Sequence, residues 1–402
     1  MQKIFFGWWV VGGAFVLLFC SVGTQFYAFP VFFEAIVSDM GWSRAQTAAA
    51  LSFGTLVAGA IGPIIGILMK KIRLRLIMIS GSITASVGFL LLSTVSELWQ
   101  LYVFYGLVLS IGIACIQLIP NLAAVESWFT QKKSTALGIA SAGIGAGGAI
   151  MAPLAGWLIS RYDWQTAFIF LAAIVTLIGV PISALVMRTR EEGKSGLTER
   201  QENPATEGAT LGQALKQRAF WLASIGALLW AWAYSAALIH QVAFAVDIGI
   251  DRLVAAGAVG LLTTFSIPGR LGFGRLGDII DKRYVFMMGA TLQIVAFIVL
   301  MRATNVTMLY IYSFLIGVNI GGLSPILPGL LADYFGRKHF GVIYGTSHFM
   351  LTLGAMIGPI YAGWVFDITE SYSIAFQTSL VLSFIAMIAV YLVGRPRWYY
   401  TK

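Results

Sequence analysis

The sequence predicts an all-α integral membrane protein with twelve transmembrane helices in two pseudo-symmetric six-helix bundles. Three observations lead to this fold class: an apolar composition, twelve apolar segments of membrane-spanning length, and an internal repeat. Of the 402 residues, 58% are hydrophobic and 11% are charged, and the mean hydropathy is +0.84. Soluble globular domains average about 25% charged residues, so this composition excludes that class.

The spans follow from the apolar windows, since about 20 apolar residues suffice to cross a bilayer. The predicted limits of the twelve are 7–33, 45–69, 74–95, 99–125, 134–159, 165–187, 219–245, 253–276, 284–301, 307–331, 340–366 and 372–393. One long polar stretch follows the sixth span, and its charged composition with few large apolar side chains is typical of a linker. We therefore predict an N-terminal six-helix bundle (1–187), a cytoplasmic linker (188–218) and a C-terminal six-helix bundle (219–402).

The basic residues predict the orientation of the chain in the membrane. One side carries 21 of the 26 Lys and Arg residues, the other carries Arg44, Arg161, Arg252 and Arg302, and Arg270 lies within a span. By the positive-inside rule the richer side is cytoplasmic, so we expect a multi-pass protein of the cell inner membrane with both termini in the cytoplasm. The net charge of +9 is then a topology signal, and no nucleic-acid partner is expected.

The two halves of the chain resemble each other at an offset near 207 residues. The segment WFTQKKSTALG (128–138) followed by PLAGWLISRYDWQTAF (153–168) returns as YFGRKHFGVIYG (334–345) followed by PIYAGWVFDITESYSIAF (359–376). Two such halves joined by a linker are typical of transporters that rock about a central site. A duplicated bundle without a transport role is the alternative.

No feature of the sequence indicates an enzyme or a bound cofactor. The two cysteines, Cys20 and Cys115, lie far apart in apolar segments, so we expect neither a disulfide framework nor a metal site. No metal cluster, nucleophile elbow or phosphate loop stands out.

Arg270 is the strongest candidate for a binding residue. It lies about seventeen residues into the eighth span, where a permanent cation costs at least ~2.5 kcal/mol on insertion scales. Such a residue normally faces a cavity, and its planar fork of donors suits a carboxylate. A structural arginine tied to carbonyl groups or to a buried acid is the alternative.

Two residues of the seventh span are candidates for proton coupling together with Arg270. Asp247 and His240 are seven residues apart, which puts them on one helix face. A carboxylate near an arginine can exchange a proton when an anion competes for the same cation, and histidine titrates near neutrality. The alternatives are a solvated helix end for Asp247 and a hydrogen-bonded packing role for His240, which could also contact substrate.

Other polar and aromatic residues within spans are candidate cavity-lining residues. Gln117 in the fourth span offers a lone amide to a carboxylate or hydroxyl group, although helix–helix hydrogen bonding explains it as well. Asn319 in the tenth span and Phe349 in the eleventh are further candidates, with Phe349 as an apolar wall for a short alkyl chain. Glu126 and Asp333, at matching cytoplasmic ends of spans four and ten, are candidate gating residues or ordinary solvated ion pairs.

Three motifs carry a resemblance to known families. The loop GRLGDIIDKR (274–283) resembles the major facilitator signature, in which Asp278 meets basic residues as part of a gate. The segments GWWVVGGAF (7–15) and WFTQKKSTALGIASAG (128–143) resemble motifs of the monocarboxylate transporter family. The resemblance implies a major facilitator fold.

The second resemblance also implies roles for particular residues. In the monocarboxylate transporters an arginine at the position of Arg270 binds the substrate anion, and Gln117 aligns with a polar position. Animal members carry an aspartate where this chain has Ser266. They also carry a substrate-linked lysine near Tyr27, which makes Tyr27 a candidate substrate-binding residue. Oxalate:formate exchangers, which are close relatives, hold a dianion with a second cation at the position of Leu351.

A single fixed cation best balances one carboxylate, so we expect a proton-coupled symporter of small monocarboxylates such as L-lactate or pyruvate. Its partners would be the substrate, the proton and the lipid bilayer, and we expect it to function as a monomer. A carboxylate anion exchanger of the oxalate:formate type is the alternative. A membrane receptor would require an appended soluble domain, for which the linker and tails are too short.

Overall fold

Twelve long helices make up most of the described part of the protein. The computed structural model describes residues 5–129, 133–189, 208–336 and 339–394. Within these ranges twelve helices are long and apolar enough to cross a membrane, which confirms the predicted all-α membrane fold. In chain order they are α1 Phe6–Met40, α2 Arg44–Met69, α3 Leu74–Leu92, α4 Leu98–Trp128, α5 Thr135–Arg161, α6 Trp164–Leu185, α7 Arg218–Asp247, α8 Arg252–Ile279, α9 Lys282–Met301, α10 Val306–Phe335, α11 Phe340–Thr369 and α12 Ser373–Tyr391.

Several helices are longer than the predicted spans, and α1 shows why. The prediction ended the first span at residue 33, before the polar residue Glu34, but the helix continues to Met40. It ends at Gly41, which has a φ of 65° and donates its N–H to the carbonyl group of Val37. A left-handed glycine of this kind is a common helix terminator, so the backbone rather than polarity ends α1.

Close helix contacts are made through glycine in both halves of the chain. In α5, a side chain at Gly147 would collide with the carbonyl oxygen of Phe19 in α1. In α11, a side chain at Gly354 would collide with the carbonyl oxygen of Leu228 in α7. Small residues permit such backbone contact within lipid, and the two helix pairs occupy related places in the repeat.

The chain divides into two compact units. The first comprises Met1–Glu199 with Asp251–Gly260, and the second comprises Arg200–Ile250 with Leu261–Lys402. The first ten residues from Asp251 therefore group with the N-terminal helices. Before α7, a short helix, Leu211–Leu215, belongs to the second unit.

Candidate functional site

Arg270 lies in the C-terminal half of α8, in the second unit. It is eighteen residues beyond the first residue of the helix, which is about 27 Å along the axis. Its Nε donates to the hydroxyl group of Ser324 at 3.3 Å, and Ser324 in turn donates to the carbonyl group of Gly321 at 3.0 Å. The side chain is partly exposed, so its guanidinium group is oriented by protein and remains within reach of solvent.

Ser324 lies where α10 is interrupted. The helical segments Val306–Leu323 and Ile326–Phe335 leave Ser324 and Pro325 between them. Pro328 explains the break, because it has no N–H to offer the carbonyl group four residues earlier, that of Ser324. The sequence analysis singled out Arg270 but missed Ser324; the pair of prolines at 325 and 328 was the available signal.

The same interruption occurs in α4 at the related position of the repeat. Residues 115–117 separate the segment Ser110–Ala114 from Leu118–Trp128, and Pro120 lies 208 residues before Pro328. Pro120 cannot donate to the carbonyl group of Ile116. Broken helices at repeat-related positions are typical of transporter binding sites.

Asn121 stabilises the break in α4. Its Nδ2 donates to the carbonyl groups of Ile116 and Gln117, both at 2.7 Å, and its side chain is fully buried. The amide thus replaces the hydrogen bond that Pro120 cannot make. Gln117 is half-buried with an extended backbone (φ −91°, ψ −150°), so it is part of an irregular turn and not of a continuous helix. Asn121 is a second residue that sequence reasoning overlooked.

Ser266, one helical turn before Arg270, is a packing residue. It is 2% exposed, and its hydroxyl group donates to the carbonyl group of Thr263 at 2.7 Å. Its own carbonyl group packs against Gly321 in α10. A buried hydroxyl group cannot serve as a proton carrier at neutral pH, so this position supplies none.

His240 is fully buried and both of its ring nitrogens meet protein groups. Nε2 lies 2.9 Å from the carbonyl oxygen of Pro359, and Nδ1 lies 2.9 Å from the hydroxyl oxygen of Tyr372. Because a carbonyl group only accepts, Nε2 carries a proton, and in the neutral ring Nδ1 accepts from the hydroxyl group of Tyr372. Two hundred and eight residues earlier, Phe32 stacks on Phe168 with ring centroids 4.0 Å apart. His240 therefore occupies a packing position of the repeat, which favours the packing alternative.

Asn319 is also held between helices. Its Oδ1 accepts from the indole N–H of Trp230 at 3.1 Å, and its Nδ2 donates to the carbonyl group of Gly289 at 2.7 Å. The side chain is fully buried, and both ends of the amide are used in these contacts. These bonds favour helix packing over cavity lining for Asn319.

The remaining candidates differ in exposure. Phe349 is 54% exposed on α11, whereas Tyr27 is 5% exposed and lies in a π-helical turn of α1, Gly23–Tyr27. A turn of this type often marks a functional position. Asp247 is exposed at the end of α7, one loop away from the start of α8, so it cannot pair directly with Arg270.

Three acidic residues are the gating candidates, and each lies near the C-terminal end of its helix: Glu126 in α4, Asp278 in α8 and Asp333 in α10. Lys282, at the start of α9, contacts Asp333 with Nζ and Oδ2 2.6 Å apart. Asp278 is exposed and Glu126 is half-buried. Within the GRLGDIIDKR loop, Lys282 therefore pairs with Asp333, and Arg283 pairs with Asp281. In the parts of the chain that the structure describes, no group of His, Cys, Asp or Glu side chains could hold a metal ion.

In the described ranges, twelve spans in repeated halves, broken helices at related places and an arginine held within a span are features of a multi-pass membrane transporter. A family model of the Major Facilitator Superfamily matches residues 14–280 and 243–400. The chain belongs to the major facilitator superfamily. This membership confirms the predicted fold and that the chain is a transporter rather than an enzyme.

The similar proteins narrow this class. The chain is 27% identical to monocarboxylate transporter 12-B of Danio rerio over 93% of this chain and 84% of that protein. It is 28% identical to monocarboxylate transporter 13 of Rattus norvegicus (92% and 85%) and 26% identical to monocarboxylate transporter 2 of Homo sapiens (92% and 82%). The chain is thus a major facilitator transporter related to the monocarboxylate transporters.

A solved structure shares the fold at low identity. It is a bacterial homologue of the human lysosomal transporter Spinster in an inward-facing, unoccupied conformation. The TM-score is 0.73 at 14% identity, covering 97% of this chain and 96% of that chain. At this identity the match supports the fold alone.

Proposed function

We propose that the protein is a proton-coupled symporter of small monocarboxylates, such as L-lactate or pyruvate, that works by alternating access. The observation that carries this proposal is Arg270, a permanent cation deep in α8 whose Nε rests on Ser324 at the break of α10. A guanidinium group binds a carboxylate through two parallel hydrogen bonds, and one fixed charge matches one carboxylate.

Electrostatics favour coupling to a proton. Moving an anion into a negative interior costs ~2.3 kcal/mol per charge per 100 mV, and co-transport of one proton cancels that cost. The names of the related proteins, which are monocarboxylate transporters, agree with the substrate class inferred from Arg270.

Arg270 holds the anion in this mechanism, and Gln117, Tyr27 and Phe349 line its path. Asp247 takes up protons from water at the end of α7, while His240 and Asn319 hold helices together. Charged residues at the cytoplasmic side close the inner gate: Glu126, Asp278 and Asp333. The transporter works as a monomer in the cell inner membrane with both termini in the cytoplasm.

Uptake into proteoliposomes tests the proposal. Labelled L-lactate should accumulate when the interior is made alkaline at a clamped membrane potential, and a protonophore should abolish this accumulation. Arg270→Lys keeps the charge but loses the paired donors, so we expect the half-saturation concentration to rise about ten-fold or more. Arg302→Lys makes the same change at an exposed position just after α9 and should leave uptake unchanged. Gradient-independent uptake would refute symport, and normal uptake by Arg270→Lys would refute the anion clamp.

A carboxylate anion exchanger of the oxalate:formate type is the second candidate. The observation that favours it is Ser266, which supplies no titratable group one turn before Arg270. Exchange of one anion for another needs no proton carrier. Counterflow of labelled L-lactate into vesicles preloaded with unlabelled carboxylate, at equal pH on both sides and with no net uptake under a proton gradient, would identify an exchanger.

A further inference from the structure

Glu34 in α1 is a buried carboxylate that the proposed function does not use. This residue is 6% exposed, and of the acidic residues that the structure describes it alone is buried. Its neighbours Phe33 and Ile36 are fully buried. A carboxylate in such surroundings is strongly unfavourable unless a cation and hydrogen bonds compensate for lost hydration.

Arg252 compensates the charge of Glu34. Its Nε donates to Oε2 of Glu34 and its Nη2 donates to Oε1 at 3.1 Å, so the pair has the two-pronged geometry of the strongest ion pairs. Arg252 is the first residue of α8, and its side chain is 31% exposed. One partner is therefore buried and the other is within reach of water.

The rest of this end of α8 packs closely on α5. A side chain at Gly260 would come within 2.9 Å of the carbonyl oxygen of Ala149 and within 2.8 Å of Pro153, and one at Gly156 would come within 2.7 Å of Ala256. Asp251–Gly260 accordingly groups with the first unit, whereas α8 from Leu261 onward groups with the second. Arg252 and Arg270 thus lie on one helix that belongs to both units.

We propose that the Glu34–Arg252 pair is a latch that holds the end of α8 on α1 and α5 and must separate each time the predicted extracellular side opens. Closed, the pair satisfies a carboxylate that the surrounding phenylalanine and isoleucine side chains cannot. Open, both groups must be rehydrated, so the helix end has two discrete positions and few intermediate ones. Because α8 also carries Arg270, movement of this end is transmitted to the anion site. The inference rests on the alternating access in the proposed function but not on the choice of substrate.

Distances between spin labels on the full-length protein in lipid nanodiscs, without substrate, test the latch. In a background with Cys20 and Cys115 replaced by alanine, labels are placed at Ser38→Cys and Leu253→Cys, which are exposed positions on α1 and α8. Glu34→Gln should raise the ratio of long to short distances about ten-fold, because the amide is a weaker partner for Arg252. Arg252→Gln should do the same and carries the test if Glu34→Gln fails to fold.

The matched control is Asp251→Asn, which removes a charge from the adjacent residue but keeps the hydrogen bond to the backbone N–H of residue 253. It should leave the distances unchanged. The Glu34→Gln/Arg252→Gln double variant should match either single variant, because the two groups act as one pair. Unchanged distances in both single variants, or fully additive shifts in the double variant, would overturn the latch. Failed lactate uptake with shifted distances would overturn only the proposed substrate.

Discussion

Asn121→Ala provides the most direct test of how α4 is broken. The substitution removes the Nδ2 donor from two carbonyl groups, those of Ile116 and Gln117. Ile116 is fully buried, and an orphaned buried carbonyl group costs ~1–3 kcal/mol. The carbonyl group of Gln117 keeps the backbone N–H of residue 121 at 3.5 Å, so its loss is smaller.

A second contribution to the free energy of unfolding partly offsets the loss of these hydrogen bonds. The Oδ1 atom of Asn121 has no hydrogen-bond partner among the described residues, and removing a buried unsatisfied acceptor returns about 1 kcal/mol. The net expected destabilisation of Asn121→Ala is therefore about 2 kcal/mol. Free energies of unfolding from denaturation in mixed micelles would measure it.

A second substitution, Pro120→Ala, tests whether the missing N–H of Pro120 is the reason that Asn121 stabilises the break. Pro120→Ala supplies the backbone N–H that the carbonyl group of Ile116 lacks, so Asn121→Ala should cost about 1–2 kcal/mol less in that background. Gln117→Ala, at a half-buried neighbouring position, is the control and should change stability little. An equal cost of Asn121→Ala with and without Pro120 would refute this account of the break.

Two further predictions concern helix packing. Gly354→Ala should destabilise the protein by about 1–3 kcal/mol, because the added methyl group meets the carbonyl oxygen of Leu228. The control is Gly345→Ala on the same helix, where the added methyl group enters open space. In thermal unfolding this control should be neutral or slightly stabilising. His240→Phe restores the aromatic residue of the first repeat and should cost about 1 kcal/mol for the lost hydrogen bonds, with the proton dependence of lactate uptake unchanged.

Each of these two predictions on helix packing has a result that would contradict it. Equal melting temperatures for the Gly354 and Gly345 variants would show that α7 and α11 are not in tight contact. Loss of proton dependence in His240→Phe, with uptake otherwise intact, would make His240 the proton carrier and overturn its assignment to packing.

The sequence predicted the number and type of spans because that information is local. A window of apolar residues must be a helix in lipid, since no water is present to satisfy the backbone. The limits were less accurate where a polar residue lies inside a helix, as at Glu34, or where a proline pair breaks one, as at Pro325 and Pro328. Motifs around Asp278 and residues 128–143 then led to the superfamily that the comparisons confirmed.

By itself, the sequence determined the membrane class, the twelve spans, the repeat and the position of Arg270 within a span, because composition, periodicity and charge are properties of single segments. Only the tertiary structure decided which polar groups meet. It brought Ser324 to Arg270 and Arg252 to Glu34, and it engaged His240 and Asn319 in contacts between helices. Those partners are 30 to 218 residues apart along the chain, and pairing at such separations depends on helix packing that no local pattern specifies.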